Sequence, residues 1–469
     1  MKRSRLPLLL GAVAASSCIT TTGYDQPPPQ RDPIPSYSAE PRVVGRPVQR
    51  GGAPQAPAAR PAGETTVSAA PPPAATPPPT SPALFGALRH VQVLGVTGGD
   101  AGERSVRLAT ARSTGARSSQ IDVHEIAFDG AETAEQSLGT PTMSIELPFD
   151  VLDGWTWSDR RPWRLVDVGG TSVVVARDPI AQRLVVTEAA SGERLFERDG
   201  CLTLEDARAR DGGVDVILRA TGGLRMIELS RAGSVRGWRE LPASDLEDSV
   251  ACFVANEAGE PSIHEAIVAG FRANTLVLAH ADLAVGSARS FTVDVEQPRR
   301  SELRVTAWGR GPMCRIAVGL PDAGGSGLVA LVADDYGSEP ELLHVVAAAA
   351  PDGGAGSLAR GFGRLLRFVD DLNGDGLPEL AIGIAEDLVR SASVALVDHA
   401  SGQRVRAYAK ASETTRKGTD LSVDPSGRYL VLSAVGPPWA GESRTDGWAL
   451  TFDTREDGAT LPALVASEN

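Results

Sequence analysis

One pair of apolar runs recurs along this chain, and this repeat restricts the fold more than any other feature. The run Ile316–Asp322 followed by Leu328–Val332 returns as Leu380–Glu386 followed by Val394–Val397. The interval between the two copies has the size of a supersecondary unit and not of a whole domain. The repeat therefore predicts a chain built from several copies of one small unit.

A second repeat joins a strand-like run to a turn. Leu184–Arg194 and Val394–Arg404 each contain an apolar run that ends in Ala-Ser-Gly, and Arg164–Asp167 and Arg367–Asp370 lie ahead of them as a matching pair. Four-stranded units that recur at short intervals are typical of a β-propeller, in which radial repetition leaves only short sheet edges.

Short β-branched runs bounded by Gly, Asp and Ser fill residues 85–469. Ser172–Ala176, Val214–Leu218, Thr275–Ala279 and Tyr429–Ser433 are examples. Runs of this length between turn-forming residues are typical of strands. The sequence therefore predicts one all-β domain over 85–469.

The spacing of these runs predicts about seven four-stranded blades that follow one another at similar intervals. The predicted blades begin near residues 88, 138, 200, 249, 302, 359 and 417. Six or eight blades remain open. A pair of β-sandwiches is the structural alternative, but it does not predict a repeated motif of strand and turn.

The N-terminus has the organisation of a signal peptide. Lys2, Arg3 and Arg5 form a positively charged segment, residues 6–14 form a short apolar run, and small residues lead to Cys18. Charge, length and small-residue ending all fit an export signal. The apolar run is far shorter than the roughly 20 residues that a membrane-spanning helix needs.

A cysteine directly after Ala15-Ser16-Ser17 resembles the lipobox of bacterial lipoproteins. This resemblance implies that residues 1–18 are a lipoprotein signal peptide, that Cys18 is acylated, and that the lipid anchors the chain to a membrane. Ile19, which follows the cysteine, resembles the class sorted to the outer membrane, facing the periplasm or the cell surface. Ordinary secretion with cleavage near Cys18 is the alternative.

Residues 19–84 form a predicted disordered linker. They hold 17 of the chain's 34 prolines and almost no periodic apolar residue. Such a segment cannot bury enough apolar surface to offset the entropy lost on ordering. An extended proline-rich chain of roughly 65 residues reaches at most about 200 Å, so we expect a spacer between membrane and domain.

The charge of the chain argues against a nucleic-acid partner. The formal net charge is −13, and residues 1–84 carry eight Lys and Arg against four Asp and Glu, so residues 85–469 carry about −17. An acidic domain is not drawn to nucleic acid or anionic lipid by its bulk charge.

Three cysteines remain after Cys18, namely Cys201, Cys252 and Cys314. In an oxidising compartment at most one pair of them forms a disulfide, and one thiol stays free.

Residues 371–379 carry the sharpest chemical motif. Asp371, Asn373 and Asp375 stand at positions 1, 3 and 5, the carbonyl of Leu377 at position 7, and Glu379 at position 9. Oxygen ligands at this spacing, with a glycine at position 6 for the sharp turn, suit Ca²⁺. An acidic hairpin turn that needs no metal is the alternative.

Position 12 of this loop distinguishes between families of calcium loops. An EF-hand requires a bidentate Glu there, and this chain has Ile382. The loop resembles instead that of the FG-GAP or VCBS repeat of integrin α-type propellers, in which an Asp-x-Asn-Gly-Asp-Gly loop leads into a strand. Gly361-Phe362-Gly363 fits the same repeat.

This resemblance implies a bacterial lipoprotein with propeller repeats in which Asp371, Asn373, Asp375 and Glu379 are side-chain ligands of one structural calcium ion. It is strong over 357–404 and weak over 302–335, where the metal loop is missing. Glu379 stands where the family commonly has Asp.

No catalytic motif is evident. None of the six histidines has the spacing of a zinc protease, and no nucleophile elbow or phosphate-binding loop occurs. The dipeptide His264-Glu265 is interpreted as a surface pair.

The sequence therefore favours a non-enzymatic cell-envelope lipoprotein that presents its propeller as a binding or scaffolding surface for a protein or polysaccharide. A propeller hydrolase or lyase with carboxylates lining the central channel is the alternative, because channel-facing Asp and Glu from different blades cannot be recognised in one sequence. Paired carboxylates about 5 to 9 Å apart in the channel would favour an enzyme.

Overall fold

The computed structural model describes most of the predicted domain. The described residues are 90–97, 104–115, 117–128, 135–153, 161–243, 245–256, 264–295, 302–323, 327–348, 359–387, 393–409, 417–435, 447–454 and 463–465. The predicted signal peptide, Cys18 and the predicted linker 19–84 lie outside them.

No α-helix occurs in this part of the chain, and hence none that is long and apolar enough to cross a membrane. The first strands are β1 (Val91–Thr97), β2 (Arg104–Gly115), β3 (Ser118–Phe128), β4 (Glu135–Ser137), β5 (Met143–Leu147), β6 (Trp163–Val168), β7 (Thr171–Asp178), β8 (Arg183–Glu188), β9 (Arg194–Asp199), β10 (Cys201–Arg210), β11 (Gly213–Ala220), β12 (Gly223–Ser230) and β13 (Val235–Glu240).

The second half of the domain continues in the same manner. Its strands are β14 (Glu247–Asn256), β15 (Glu265–Arg272), β16 (Thr275–Asp282), β17 (Ser287–Val293), β18 (Arg304–Arg310), β19 (Met313–Leu320), β20 (Leu328–Ala333), β21 (Glu341–Ala347), β22 (Ala359–Phe368), β23 (Leu380–Asp387), β24 (Ser393–Val397), β25 (Arg404–Ala409), β26 (Lys417–Val423), β27 (Tyr429–Val435), β28 (Gly447–Asp453) and β29 (Ala463–Val465).

Neighbouring strands pair into antiparallel meanders. Three sheets contain four strands each, in the orders β1-β2-β3-β5, β6-β7-β8-β9 and β10-β11-β12-β13. An eight-stranded sheet consists of two further meanders, β14 to β17 and β18 to β21, whose first strands pair in parallel at Val254–Asn256 and Ala307–Gly309.

A nine-stranded sheet completes the domain. It joins the meander β22 to β25 to the strands β26 to β29 through a bridge between Glu386 and Lys417. Its last pairing is parallel and joins β29, the last described strand, to β4, which lies in the first part of the described chain.

Strand β1 lies between β6 and β26, which brings the first and last meanders together. The side chain of Gln92 donates to the carbonyl of Leu165 at 2.6 Å and accepts from its amide at 2.9 Å. The amide of Val93 donates to the hydroxyl of Ser422 at 3.0 Å. Successive four-stranded sheets arranged in a closed ring define a β-propeller.

The position of a strand within its meander explains its sequence. The second and third strands are packed on both faces, so β11 and β16 are almost wholly buried and are nearly continuous apolar runs. Fourth strands such as β9 are mainly exposed and mainly polar. The core lies between neighbouring sheets, where for example Val173 and Val175 of β7 belong to the same apolar cluster as Val216 and Leu218 of β11.

The sequence repeats occupy equivalent places. The paired copies 316–322 and 380–386 overlap the second strands β19 and β23, and the runs that follow them lie in the third strands β20 and β24. Five predicted blade starts, at 200, 249, 302, 359 and 417, lie within two residues of β10, β14, β18, β22 and β26. The start near 138 is wrong, because β5 pairs with β3 and completes the first sheet.

Both Ala-Ser-Gly segments form the same turn between a third and a fourth strand. The amide of Gly192 donates to the carbonyl of Glu188 at 2.9 Å, and that of Gly402 donates to Asp398 at the same distance. Both glycines have a positive φ, of 70° and 67°. This left-handed conformation favours glycine, which explains why the repeat keeps a glycine at this place.

The three cysteines of the domain are buried, and Cys201 and Cys314 are free thiols. Burial raises the pKa of Cys201 to about 12, so this thiol is protonated and unreactive at neutral pH.

Candidate functional site

All five predicted calcium ligands of the domain lie in one loop, 369–379, that connects β22 to β23. Asn373 and Asp375 are exposed, Asp371 and Leu377 are partly buried, and Glu379 is buried with 1% of its surface exposed. Cys18, the predicted lipidation site, lies outside the described residues.

The loop is shaped by its own acidic and amide side chains. Asp371 accepts hydrogen bonds from the amides of Gly374 at 2.6 Å and Gly376 at 2.8 Å. Asn373 and Asp375 each accept from the amide two residues further on, at 2.8 Å. Asn and Asp side chains commonly fold turns in this way. Gly376, at the sixth position of the motif, has a φ of 87°.

Glu379 is the most deeply buried of the predicted calcium ligands. One carboxylate oxygen, Oε2, accepts from the amide of Leu372 at 2.6 Å, while Oε1 is buried and has no hydrogen-bond partner. Burial raises the pKa of Glu379 to about 7 despite that amide, and the charge of Asp371 adds to the rise. A buried carboxylate oxygen without a partner is costly, and a cation at this position would satisfy it.

The predicted ligands share a loop without being gathered around one point. Among the residues that the structure describes, no group of three or more His, Cys, Asp and Glu side chains is placed to hold a metal ion. In the described conformation, the oxygens of Asp371 and Asp375 bind backbone amides. A calcium ion would therefore have to draw these side chains towards Glu379.

The start of this loop is held against the next meander. The amide of Asp370 donates to the carbonyl of Gly427, in the turn between β26 and β27, at 3.0 Å. A Cβ on Gly427 would lie 2.6 Å from the nitrogen of Asp370. The loop thus contributes to an interface between two meanders.

A second candidate site is the central channel, a cavity of about 330 Å³ lined by β1, β6, β10, β14, β18, β22 and β26 or residues next to them. Its charged lining residues are Arg161, Arg164, Arg304, Arg364, Arg367, Glu205, Asp206 and Asp420. Five arginines against three carboxylates make this cavity basic inside an acidic domain.

Asp420 and Arg161 form a buried ion pair in the channel wall. Nε of Arg161 donates to Oδ2 of Asp420 at 2.6 Å, and Nη2 donates to the carbonyl of Val91 at 2.7 Å. Burial alone would raise the pKa of Asp420, but the charge of Arg161 holds it well below its usual range. Asp420 is therefore ionised and cannot serve as a general acid at neutral pH.

The other two lining carboxylates are also engaged. Glu205 accepts from the hydroxyl of Thr203 at 2.6 Å and lies 3.8 Å from Nε of Arg219. Asp206 accepts from the amide of Phe253 at 3.1 Å.

Three channel arginines share one local conformation. Nη1 of Arg164, Arg304 and Arg367 donates to the carbonyl of the residue before it, at 3.4, 3.2 and 2.7 Å. Each arginine lies on the first strand of its meander, β6, β18 or β22. Arg164 and Arg367 are also the arginines that begin the two matching runs of the second sequence repeat.

A third charged cluster lies within the eight-stranded sheet. Nδ1 of His280 is 2.6 Å from Oδ2 of Asp334, and Nε2 is 3.0 Å from Oε2 of Glu265. Burial opposes a charge on His280, but the hydrogen bonds to the two carboxylates outweigh it and raise its pKa to about 9. Tyr336 donates to Glu265, and Arg289 contacts Asp334. Because both ring nitrogens donate to carboxylates, His280 has no free nitrogen to act as a base.

Sequence reasoning missed this cluster and the channel arginines. The interpretation of His264-Glu265 as a surface pair holds for His264, which is exposed, but Glu265 belongs to the His280 cluster. The sequence did place Arg164 and Arg367 at the same position of a repeat, which could have predicted that they occupy equivalent places in the fold. Nothing in the sequence brings together His280 and Asp334, which lie in different meanders.

Comparison with known proteins gives no family. No protein-family model matches the chain, and no curated protein sequence matches it.

Solved structures resemble the chain only distantly. Saccharomyces cerevisiae Sqt1 is 10% identical, with 80% of this chain and 96% of that chain covered and a TM-score of 0.45. Kuenenia stuttgartiensis hydrazine synthase is 9% identical, with 75% and 93% covered and a TM-score of 0.47. The Dos1 propeller is 9% identical, with 76% and 78% covered and a TM-score of 0.41. The assignment of the fold therefore rests on the strand pairing described above.

Proposed function

We propose that this chain is a bacterial cell-envelope lipoprotein that presents a calcium-stabilised, seven-bladed β-propeller as a binding or scaffolding surface for a protein or polysaccharide. The observation that supports a binding role most directly is that the carboxylates lining the channel are already ion-paired or hydrogen-bonded within the protein. Asp420 is ion-paired and ionised, and Glu205 and Asp206 accept hydrogen bonds from the surrounding protein.

The same observation argues against the alternative, a hydrolase or lyase. Such an enzyme needs one carboxyl group that can donate a proton and a second that can accept one or attack. Asp420, beside Arg161, is unsuited to donate a proton. Fold alone does not decide between the roles, because propellers host many activities.

A count of seven blades is supported by the channel. Its wall is formed by seven strands or by residues next to them, and each of these strands is the first of a meander. They are β1, β6, β10, β14, β18, β22 and β26. In this count, the eight-stranded sheet is two blades and the nine-stranded sheet contributes two more.

The calcium ion is supported by the loop spacing, by the resemblance to FG-GAP repeats, and by the buried oxygen of Glu379 that lacks a partner. Asp371, Asn373, Asp375 and Glu379 would hold it with side chains and Leu377 with its carbonyl. The ion would stabilise the loop between two blades and supply no chemistry.

The lipid anchor is supported by the charged start, the short apolar run and the small residues before Cys18. Since a single acyl chain binds a membrane only marginally, the several chains of a mature bacterial lipoprotein would provide stable anchoring. Ile19 after the cysteine supports an outer-membrane location, facing the periplasm or the cell surface.

The anchor is tested by fractionating bacteria that express the wild type, Cys18→Ser, or Ser17→Ala as a matched control that keeps a small residue. We expect wild type and Ser17→Ala in the membrane fraction, labelled by a fatty-acid probe, and Cys18→Ser unlabelled and released. Membrane retention of a processed Cys18→Ser chain would refute the anchor.

The binding role is tested separately on the full-length chain. Incubation with envelope polysaccharides and their oligosaccharides should leave their length distribution unchanged. If the purified chain depolymerises them, the enzyme alternative is correct and the non-enzymatic role is refuted.

A further inference from the structure

Arg164 and Arg367 face the channel with little compensating charge. The nearest approach of Arg164 to a carboxylate is 3.7 Å, from its Nε to Oδ1 of Asp206, which is longer than a hydrogen bond. Within the described residues, no carboxylate lies at ion-pair distance from Arg367, whose guanidinium donates only to the carbonyl of Leu366.

The surrounding carboxylates are committed elsewhere. Asp206 accepts amide hydrogen bonds on both oxygens, from Ala207 at 2.9 Å and from Phe253 at 3.1 Å. Asp420 is paired with Arg161 at 2.6 Å. Asp206 and the already paired Asp420 are thus the carboxylates whose charges oppose those of Arg164 and Arg367. Together with Arg161 this leaves an excess of positive charge.

A guanidinium group stays protonated in proteins at neutral pH, so both arginines carry a positive charge. Burial, together with the charges of Arg161 and Arg367, lowers the pKa of Arg164 to about 9. Burial also lowers the pKa of Arg367. Like charges inside a protein repel more strongly than in water, so an anion between these guanidinium groups would offset their mutual repulsion.

We propose that the central channel binds a small oxyanion, a phosphate or sulfate group, between Arg164 and Arg367. Guanidinium groups bind such oxygens through paired N–H donors. The cavity of about 330 Å³ has room for the anion and several waters, since one water occupies about 30 Å³ in the liquid. This site goes beyond the binding surface proposed above and depends on neither the lipid anchor nor the calcium ion.

Two further features fit a tetrahedral dianion. A phosphate monoester carries about −1.5 to −2 charges at pH 7, opposite in sign to the excess charge of the channel. Arg304 and Arg364 line the same cavity and share the carboxylate of Glu302, so they add further positive charge to it.

The test is calorimetric titration of the full-length chain with inorganic phosphate, with sulfate and with glucuronate, each at matched ionic strength in NaCl. Glucuronate tests whether a carboxylate binds as well as a tetrahedral oxyanion. We expect phosphate and sulfate to bind and glucuronate to bind more weakly. Arg164→Gln and Arg367→Gln should each weaken phosphate binding about tenfold or more, the loss of one charge-assisted contact.

Arg194→Gln is the matched control, because this arginine is exposed on the outer strand β9, and it should bind phosphate as the wild type does. The channel variants should melt in NaCl no lower than the wild type, since each removes a repelled charge. If Arg367→Gln does not fold, Arg367→Lys keeps the charge without the paired donors and should bind measurably but more weakly. The absence of phosphate binding by the wild type, or phosphate binding by both glutamine variants as tight as that by the wild type, would overturn the proposal.

Discussion

Gly319 of β19 and Gly363 of β22 pack backbone against backbone. A Cβ on Gly319 would lie 1.8 Å from the carbonyl oxygen of Gly363, and a Cβ on Gly363 would lie 3.2 Å from the Cα of Gly319. Gly363 has a φ of 87° and lies where the register of β22 shifts between Phe362 and Leu365. The second glycine of the Gly-Phe-Gly motif is thus explained by close contact with the preceding meander.

Gly319→Ala should destabilise the domain because the obstacle is backbone, which cannot turn aside as a side chain can. We expect a loss of about 2 to 3 kcal/mol in the free energy of unfolding, the upper part of the range for overpacking. Denaturant melts measure this loss. Gly95→Ala is the control, since a Cβ there meets nothing within 4 Å, and it should be neutral or slightly stabilising.

Asp375→Ala should abolish a calcium-dependent rise in Tm. The variant loses a ligand, whereas in the wild type calcium stabilises the folded state to which it binds. Thermal melts with calcium and with a chelator check this expectation. Asp398→Ala is a matched control, because Asp398 accepts a hydrogen bond from the amide of Ala400 at 2.7 Å in a turn outside the calcium loop. The Tm of this variant should be lower than that of the wild type by the same amount with calcium and with chelator. An equal calcium shift in the wild type and Asp375→Ala would place the ion elsewhere.

Asp420→Asn should destabilise the domain by about 3 to 5 kcal/mol, because it leaves the buried guanidinium of Arg161 without its counter-charge. Replacing both residues, as Arg161→Met with Asp420→Leu, should restore much of the loss, since a buried ion pair often exchanges for apolar residues at little cost. A double-mutant cycle by denaturant unfolding measures the coupling. Additive losses would show that the pair is not coupled.

The His280 cluster should make stability depend on alkaline pH. The pKa of His280 is raised from 6.5 to about 9 in the folded protein, so the folded state holds its proton more tightly than the unfolded state. The contribution is full below about pH 6.5 and is lost as pH rises through about 9. Denaturant unfolding from pH 6 to 10 should show this loss in the wild type and in His264→Gln, but not in His280→Gln. A loss of the same size in His280→Gln would assign it to other groups.

The architecture was largely predictable because short apolar runs separated by turn residues have few compatible folds. The repeated Ala-Ser-Gly turn and the copies around Ile316 and Leu380 predicted equivalent strands, and the structure confirms this equivalence. The boundary near 138 was not predictable, because a long connection separates β5 from β3 and pairing across it leaves no local pattern.

Of the candidate sites, the sequence predicted the calcium loop but not the cluster of channel arginines. Asp371 to Glu379 are close in sequence, so spacing alone identified the loop, although its side chains bind backbone amides in the described conformation. The channel arginines converge from strands that lie far apart in the sequence, such as β6 and β22. Which side chains meet there depends on the three-dimensional ring, and one sequence does not show this.

The parallel pairing of β29 with β4 also governs how this domain is assembled in time. Its partners, Ala463–Val465 and Glu135–Ser137, lie near opposite ends of the domain sequence, so the ring cannot close before almost the whole domain has been synthesised. Contacts of such long range slow folding. Until they form, the free edge of β28 offers unpaired backbone groups to other chains. A growing chain of this protein is therefore most prone to aggregate just before its last strand is synthesised. If the chain is exported unfolded, as the proposed signal peptide implies, that risk is postponed until after export.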